Sequence, residues 1–267
     1  MGRSKQKVSK YVQLEQEEDK RKQYPFYNAF SNQEDVSNAI FINFNDDIKL
    51  TPKQKEVVKL INENKVTVIT GPAGTAKTFC AAYAALKLFA DTKDYNKIII
   101  TKPTEIVGDS ELGFTPGTVE EKLAVYMENF NDVFEDLVDD KTIHDMVSAK
   151  ELQYKASQFV RGRTIKNSIV IIDEFQSFDI KTLMAIVTRI GKKNAKFIFC
   201  GDIKQNDIAK KYVAVNVLKK ILTGVPNVAQ FEFTEDDNMR DDMVKLILKN
   251  YDTLEQAGEL TPNRKNA

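Results

Sequence analysis

The stretch Val66-Thr-Val-Ile-Thr70-Gly71-Pro72-Ala73-Gly74-Thr75-Ala76-Lys77-Thr78-Phe79 decides the fold. Its first five residues are all β-branched, so they read as a buried strand. Two glycines then interrupt the strand, and the run from Phe79 to Leu88 has helical composition. A strand that ends in such a turn and opens a helix points successive backbone N–H groups at one place, where the helix dipole also favours an anion. In this context the motif reads as a phosphate-binding loop. Lys77 is then expected to neutralise phosphate charge and the Thr78 hydroxyl to ligate Mg2+. The residues from Gly71 through Pro72, Ala73, Gly74, Thr75 and Ala76 to Phe79 would surround the ligand. Ala76 stands where glycine is usual. At negative φ its methyl stiffens the turn, whereas at positive φ it costs roughly 1 kcal/mol or more. Binding is expected to survive.

The same pattern continues outward. Short apolar runs recur at Ile98–Thr101, Ile169–Ile172, Lys196–Cys200 and Gln230–Phe233, with helix-period segments between them. Strands this apolar, alternating with helices, imply an α/β fold whose mostly parallel sheet is covered on both faces. The run Ser168–Ile172 ends in Asp173-Glu174, two carboxylates at a strand's C-terminal end, where ligands bind in such sheets. Asp173 is expected to hold Mg2+ and Glu174 to polarise an attacking water as general base. The run Lys196–Cys200 leads into Gly201-Asp202-Ile-Lys-Gln205, which aims Gln205 at the γ-phosphate or the water. The helix expected from Thr118 to about Leu137 opens with a Thr118-x-x-Glu121 capping box and buries a stripe of core side chains.

Composition narrows the function class. In 267 residues, 39 Lys+Arg balance 39 Asp+Glu, so nothing attracts phosphate over the whole surface and any basic groove must be local. The lysine groups at 192, 193, 196 and at 210, 211, 219, 220 are candidates for such a groove, and solvated faces are the alternative reading. Cys80 and Cys200 sit in apolar runs and read as buried, reduced thiols. The single histidine, His144, lies in what reads as a polar surface connector. No uncharged run approaches the roughly 18–20 residues that cross a bilayer, so a cytoplasmic chain without membrane contact is expected. Residues 1–44 read as a charged tail and aromatic extension, 45–255 as one core domain, and 256–267 as a polar tail.

Taken together, Gly71–Thr78, Asp173-Glu174-Phe175-Gln176 and Gly201-Asp-x-x-Gln205 resemble motifs I, II and III of superfamily 1 helicases. The resemblance is closer to the PhoH-like family of phosphate-starvation-inducible ATPases. That family's further markers occur in order as Thr101-Lys-Pro103, Leu112-Gly-Phe-Thr-Pro-Gly117, Arg161-Gly-Arg163-Thr164, Thr188-Arg-Ile-Gly191 and Thr234-x-x-Asp-x-x-Arg240. Ala76, Lys102 and Phe175 depart from its pattern. The resemblance spans about residues 50–250 and implies a RecA-like P-loop NTPase core. It also implies ATP and Mg2+ as ligands, an association with RNA or DNA handling, and occurrence in bacteria and tailed phages.

Gln54 resembles the helicase glutamine that reads adenine, yet Thr51-Pro52-x-Gln54 is also a helix-capping box with proline at the first helical position. Phosphoryl transfer also calls for a cation on the γ-phosphate. Roughly 60 residues follow Gln205, fewer than the ~100 a second such domain needs, so the arginine is expected from the same core or from a neighbouring subunit. The second source favours a closed homo-oligomeric ring, a hexamer by analogy. Arg240 is weighed equally as finger and as structural residue, and Arg161 and Arg163 are placed toward a partner subunit or nucleic acid. Two functions remain open: an ATP-driven motor on single-stranded RNA or DNA, and a nucleotide-gated switch with slow turnover.

Overall fold

The computed structural model describes residues 42–103, 130–155, 164–202 and 209–257, together with Ser157, Val160 and Gly162. The other residues, including Gln205, Arg161, Arg163 and the expected helix start at Thr118, lie outside them. Six strands form one sheet: β1 Val66–Thr70, β2 Lys97–Thr101, β3 Leu152–Tyr154, β4 Ser168–Ile172, β5 Ala195–Gly201 and β6 Val228–Glu232. Their order is β3-β2-β4-β5-β1-β6 and every pairing is parallel. The helices are α1 Pro52–Glu63, α2 Lys77–Asp91, α3 Asp140–Ser148, α4 Ile180–Val187, α5 Ala209–Leu222 and α6 Asp242–Gln256.

Period-2 side-chain alternation explains why both faces need a cover. Ile69, Ile98, Ile100, Ile169, Ile171 and Ile198 pack under α1, α2 and residues 130–147, while Val68, Ile99, Val170, Ile172, Phe197 and Phe199 pack under α4 and α5. Helix α2 buries Cys80, Ala81, Ala82, Ala84 and Ala85, small side chains that let it lie close to the sheet. This is the doubly covered parallel sheet expected from the apolar runs. Strand β3 went unread because it has three residues, too few to carry a period. His144 sits in helix α3, not a connector, and is exposed there. Both thiols are buried, and burial pushes Cys80 up to about 12. Residues 130–135 are helical, and Phe130 and Phe134 are buried as their spacing required. The packed body also includes Ile42 and Phe44, which the sequence assigned to the extension. Among the described residues no helix is long and apolar enough to cross a membrane.

Lys196 corrects the basic-groove reading. It opens the apolar part of β5, is 4 % exposed, and its ammonium donates to the carbonyl oxygens of Ile61, Asn62 and Asn64 at the end of α1. A cation at a helix C-terminus satisfies carbonyls that have no partner within the helix and meets the negative end of its dipole. Burial lowers its pKa to about 8, which leaves it mostly protonated at neutral pH. The residue therefore fastens α1 to the sheet and cannot track phosphates. Replacing it in Lys196→Met strands buried carbonyl oxygens, and a loss of roughly 2–3 kcal/mol is expected in urea unfolding with an unchanged slope. The exposed Lys192→Met should stay within about 0.5 kcal/mol of wild type.

Candidate functional site

β4, β5 and β1 are neighbours in the sheet, so the turns that leave their C-terminal ends converge. Between them lies a cavity of about 300 Å³ lined by Ala73, Gly74, Ala76, Lys77, Thr78, Phe79, Val133, Asp173, Glu174, Gly201, Asp202 and Arg240. Sequence positions from three strand ends and from the chain's last third thus share one space.

The loop after β1 is held by backbone geometry that its glycines permit. Gly71 has φ +148, and a Cβ there would come within 2.7 Å of the Phe233 side chain. The Lys77 ammonium donates to the carbonyl oxygens of Gly71 (2.8 Å) and Pro72 (2.6 Å), so it ties the start of the loop to the first residue of α2. Burial lowers the Lys77 pKa, and Asp202, Glu174 and Asp173 pull it back up. Thr75 turns inward, donating to the Pro72 carbonyl at 2.9 Å. Ala76 takes φ +62, the left-handed conformation that the sequence reading identified as the costly case. A non-glycine residue held there stores roughly 1–2 kcal/mol.

The acids meet the loop directly. The Thr78 hydroxyl donates to Asp173 Oδ1 at 3.0 Å, although 95 residues separate them. Burial raises the Asp173 pKa to about 6, with Glu174 adding to the rise while Lys102 and the Thr78 hydrogen bond oppose it. A buried carboxylate beside a hydroxyl, with a second acid adjacent, is a hard oxygen donor set. It suits a divalent cation that keeps most of its waters and takes one or two protein ligands. Among the described residues no group of three His, Cys, Asp or Glu side chains forms a closed metal cage.

Glu174 adopts φ +51, which turns its carboxylate away from the strand line. Gln176, 2 % exposed, donates through Nε2 to Glu174 Oε2 and accepts through Oε1 from the Asp202 N–H at 3.1 Å. Gly201 makes room for this link, since a Cβ there would meet Gln176 Oε1 at 2.6 Å and the Phe175 ring at 2.7 Å. The sequence quoted Gln176 within a motif but gave neither it nor Asp202 a role. The available signal was an uncharged amide two residues after the acid.

Arg240 lines the cavity of its own chain. The segment carrying it lies against the loop: the Met239 N–H donates to the Gly74 carbonyl at 2.8 Å, and a Cβ on Gly74 would come within 2.7 Å of Arg240 Cγ. Thr234 and Asp237 cap the preceding turn, and Asp237 accepts from Lys53 at 2.8 Å, which anchors the segment to α1. A cation from the same core is therefore at hand, and the case for a ring no longer follows from the need for one. The Thr51–Gln54 capping box is formed, with Gln54 Oε1 accepting from the Thr51 N–H at 2.9 Å. Gln54 does not line the cavity, nor do Gly71, Pro72 and Thr75, which shape the loop from behind. Arg189 serves structure through its carbonyl, which accepts from Ile165 at 2.8 Å.

The raised Asp173 pKa has a stability consequence of definite sign. The folded chain holds this proton more tightly than the unfolded chain, so the ionised carboxylate weakens the ligand-free fold above pH 6, and the penalty fades as pH falls toward 4. Asp173→Asn keeps an acceptor for Thr78 and removes the charge. Ligand-free urea unfolding should show it more stable than wild type by on the order of 2 kcal/mol at pH 7.5, with the gap closing toward pH 4.

Comparison with known proteins agrees with this geometry. The family model described as PhoH-like protein matches residues 48–252. The PhoH-like protein of Synechocystis sp. (strain ATCC 27184 / PCC 6803 / Kazusa) is 30 % identical over 213 residues, covering 79 % of this chain and 64 % of that protein. The PhoH-like protein of Bacillus subtilis (strain 168) is 30 % identical over 203 residues, covering 76 % and 63 %. The chain thus spans less than two thirds of the length of these relatives. Among solved structures, the large terminase from a thermophilic bacteriophage superposes with a TM-score of 0.50 at 14 % identity, over 75 % of this chain and 49 % of that one. That likeness concerns the fold alone, a P-loop ATPase core. With the family model covering most of the sheet and the loop, acids and arginine all inside its span, the chain belongs to the PhoH-like family.

Proposed function

We propose that this chain binds ATP with Mg2+ in the cavity at the C-terminal edge of the sheet and hydrolyses it, with single-stranded nucleic acid as the coupled partner. The observation that carries the reading is the 3.0 Å contact between Thr78 and Asp173, made where Lys77, Glu174 and Arg240 also line the cavity. The loop amides and Lys77 take the phosphate charge. Thr78 and Asp173 are the residues that would hold Mg2+, which supplies charge neutralisation at the phosphates when bound. Glu174 accepts the proton of the attacking water as the bond from the terminal phosphorus to its bridging oxygen breaks. Gln176 keeps Glu174 aimed by tying it to the Asp202 backbone, and Arg240 offers its charge to the transferring group. ATP is preferred over GTP because the chain has no Asn-Lys-x-Asp guanine signature. The Gln54 contact to adenine rests on the family resemblance, since its side-chain oxygen serves the cap.

One observation favours the slower, switch-like reading: Ala76 holds a left-handed conformation at the closest approach to phosphate, where strain works against repeated turnover. ATPase rates with and without single-stranded RNA and DNA, at stated salt, separate the two. Stimulation supports the motor, and indifference supports the switch.

For the site itself, Mg-ATP should raise the melting temperature of wild type, and Lys77→Ala should lose that rise. Glu174→Gln should keep the rise while kcat falls by about 10²-fold or more. Arg240→Ala should also bind, with a kcat loss of about 10³-fold if its charge reaches the γ-phosphate. In Gln176→Ala, kcat should fall by about tenfold with KM little changed. A wild-type protein with no melting shift at millimolar Mg-ATP would overturn the proposal.

A further inference from the structure

Helix α6 carries the largest unpaired feature of the described surface. Met243, Leu246, Ile247, Tyr251 and Leu254 on it are 41–66 % exposed, and Met239 just before it is 62 % exposed. The 4-3-4 spacing of Met243, Ile247, Asn250 and Leu254 puts these residues on one stripe, which Leu246 and Tyr251 widen. Lys245 and Lys249 fall on the opposite side, so the stripe holds no charge of either sign and has Asn250 as its polar residue.

We propose that this stripe is a contact between copies of this chain, with α6 of one copy laid along α6 of another. Two features select a second copy as the occupant. The first is area. The exposed apolar side chains amount to roughly 600 Å², the upper end for a patch on a free monomer and most of the ~800 Å² that one partner contributes to a standard interface. The second is self-complementarity. An uncharged apolar face meets an identical face without repulsion, and the Asn250 amide, which carries both donors and an acceptor, can pair with the same residue of the second copy. A polyanion finds no cation on the stripe. An anionic lipid surface would be repelled by Asp241 and Asp242 at the helix start.

The contact would sit next to the cavity, because Met239 is bonded to Gly74 and Arg240 lines the wall. It does not depend on what the cavity binds, and its test reads mass instead of nucleotide chemistry. By sedimentation at micromolar concentration, wild type is expected at two or more times the chain mass of 30.4 kDa. Leu246→Glu/Ile247→Glu is expected at one chain mass, with an unchanged far-UV spectrum. Asn250→Lys leaves the apolar residues in place but sets like charges against each other, and it should weaken association by at least about 100-fold. Ile221→Glu, exposed at the end of α5, should assemble as wild type does. A wild type that runs as a single chain up to 100 micromolar (about thirty-fold above typical working concentrations), or a double variant that assembles like wild type, overturns the proposal.

Discussion

The hydroxyl of Thr78 and the carboxylate of Asp173 meet at 3.0 Å because the parallel ladder leaves them no other place. β1 delivers Thr78 through the loop into the first turn of α2, β4 ends at Ile172 one residue before Asp173, and β5 lies between the two strands in register with both. The contact removes a carboxylate from water beside a second acid, and the raised pKa of Asp173 measures the cost. A fold selected for stability alone would place an amide or an apolar side chain there. The strained φ of Ala76 and of Glu174 lies within the same few ångströms, so the cost is concentrated where a charged ligand would offset it.

A second constraint comes from the chain's last third. After β6, Phe233 closes on Gly71, the Met239 N–H bonds Gly74, Arg240 packs against that glycine's bare Cα, and Asp237 reaches back to Lys53 on α1. These contacts clamp the phosphate loop from the side opposite the acids. They also fix the direction in which α6 departs, with its apolar stripe turned outward. One segment therefore delivers an arginine to the cavity and displays the helix face on which copies are proposed to meet.

The amino-acid sequence by itself determined what depends on neighbours along the chain: the buried strands from β-branched runs, the loop from its glycines, the Thr51 cap, and the acids at a strand end. Those signals are local because backbone conformation and side-chain periodicity are local. Lys196 shows the limit, since a lysine among other lysines reads as solvated until the end of α1 is brought over it. Gln176 shows it again: an amide two residues past Glu174 gains a role only when Gly201 of another strand makes room for it. The tertiary structure alone decided the sign of φ at Ala76, the placement of Arg240 in its own cavity and the exposure of α6. Each depends on which distant segments touch, and pairings of that kind are set by the summed packing of the whole chain.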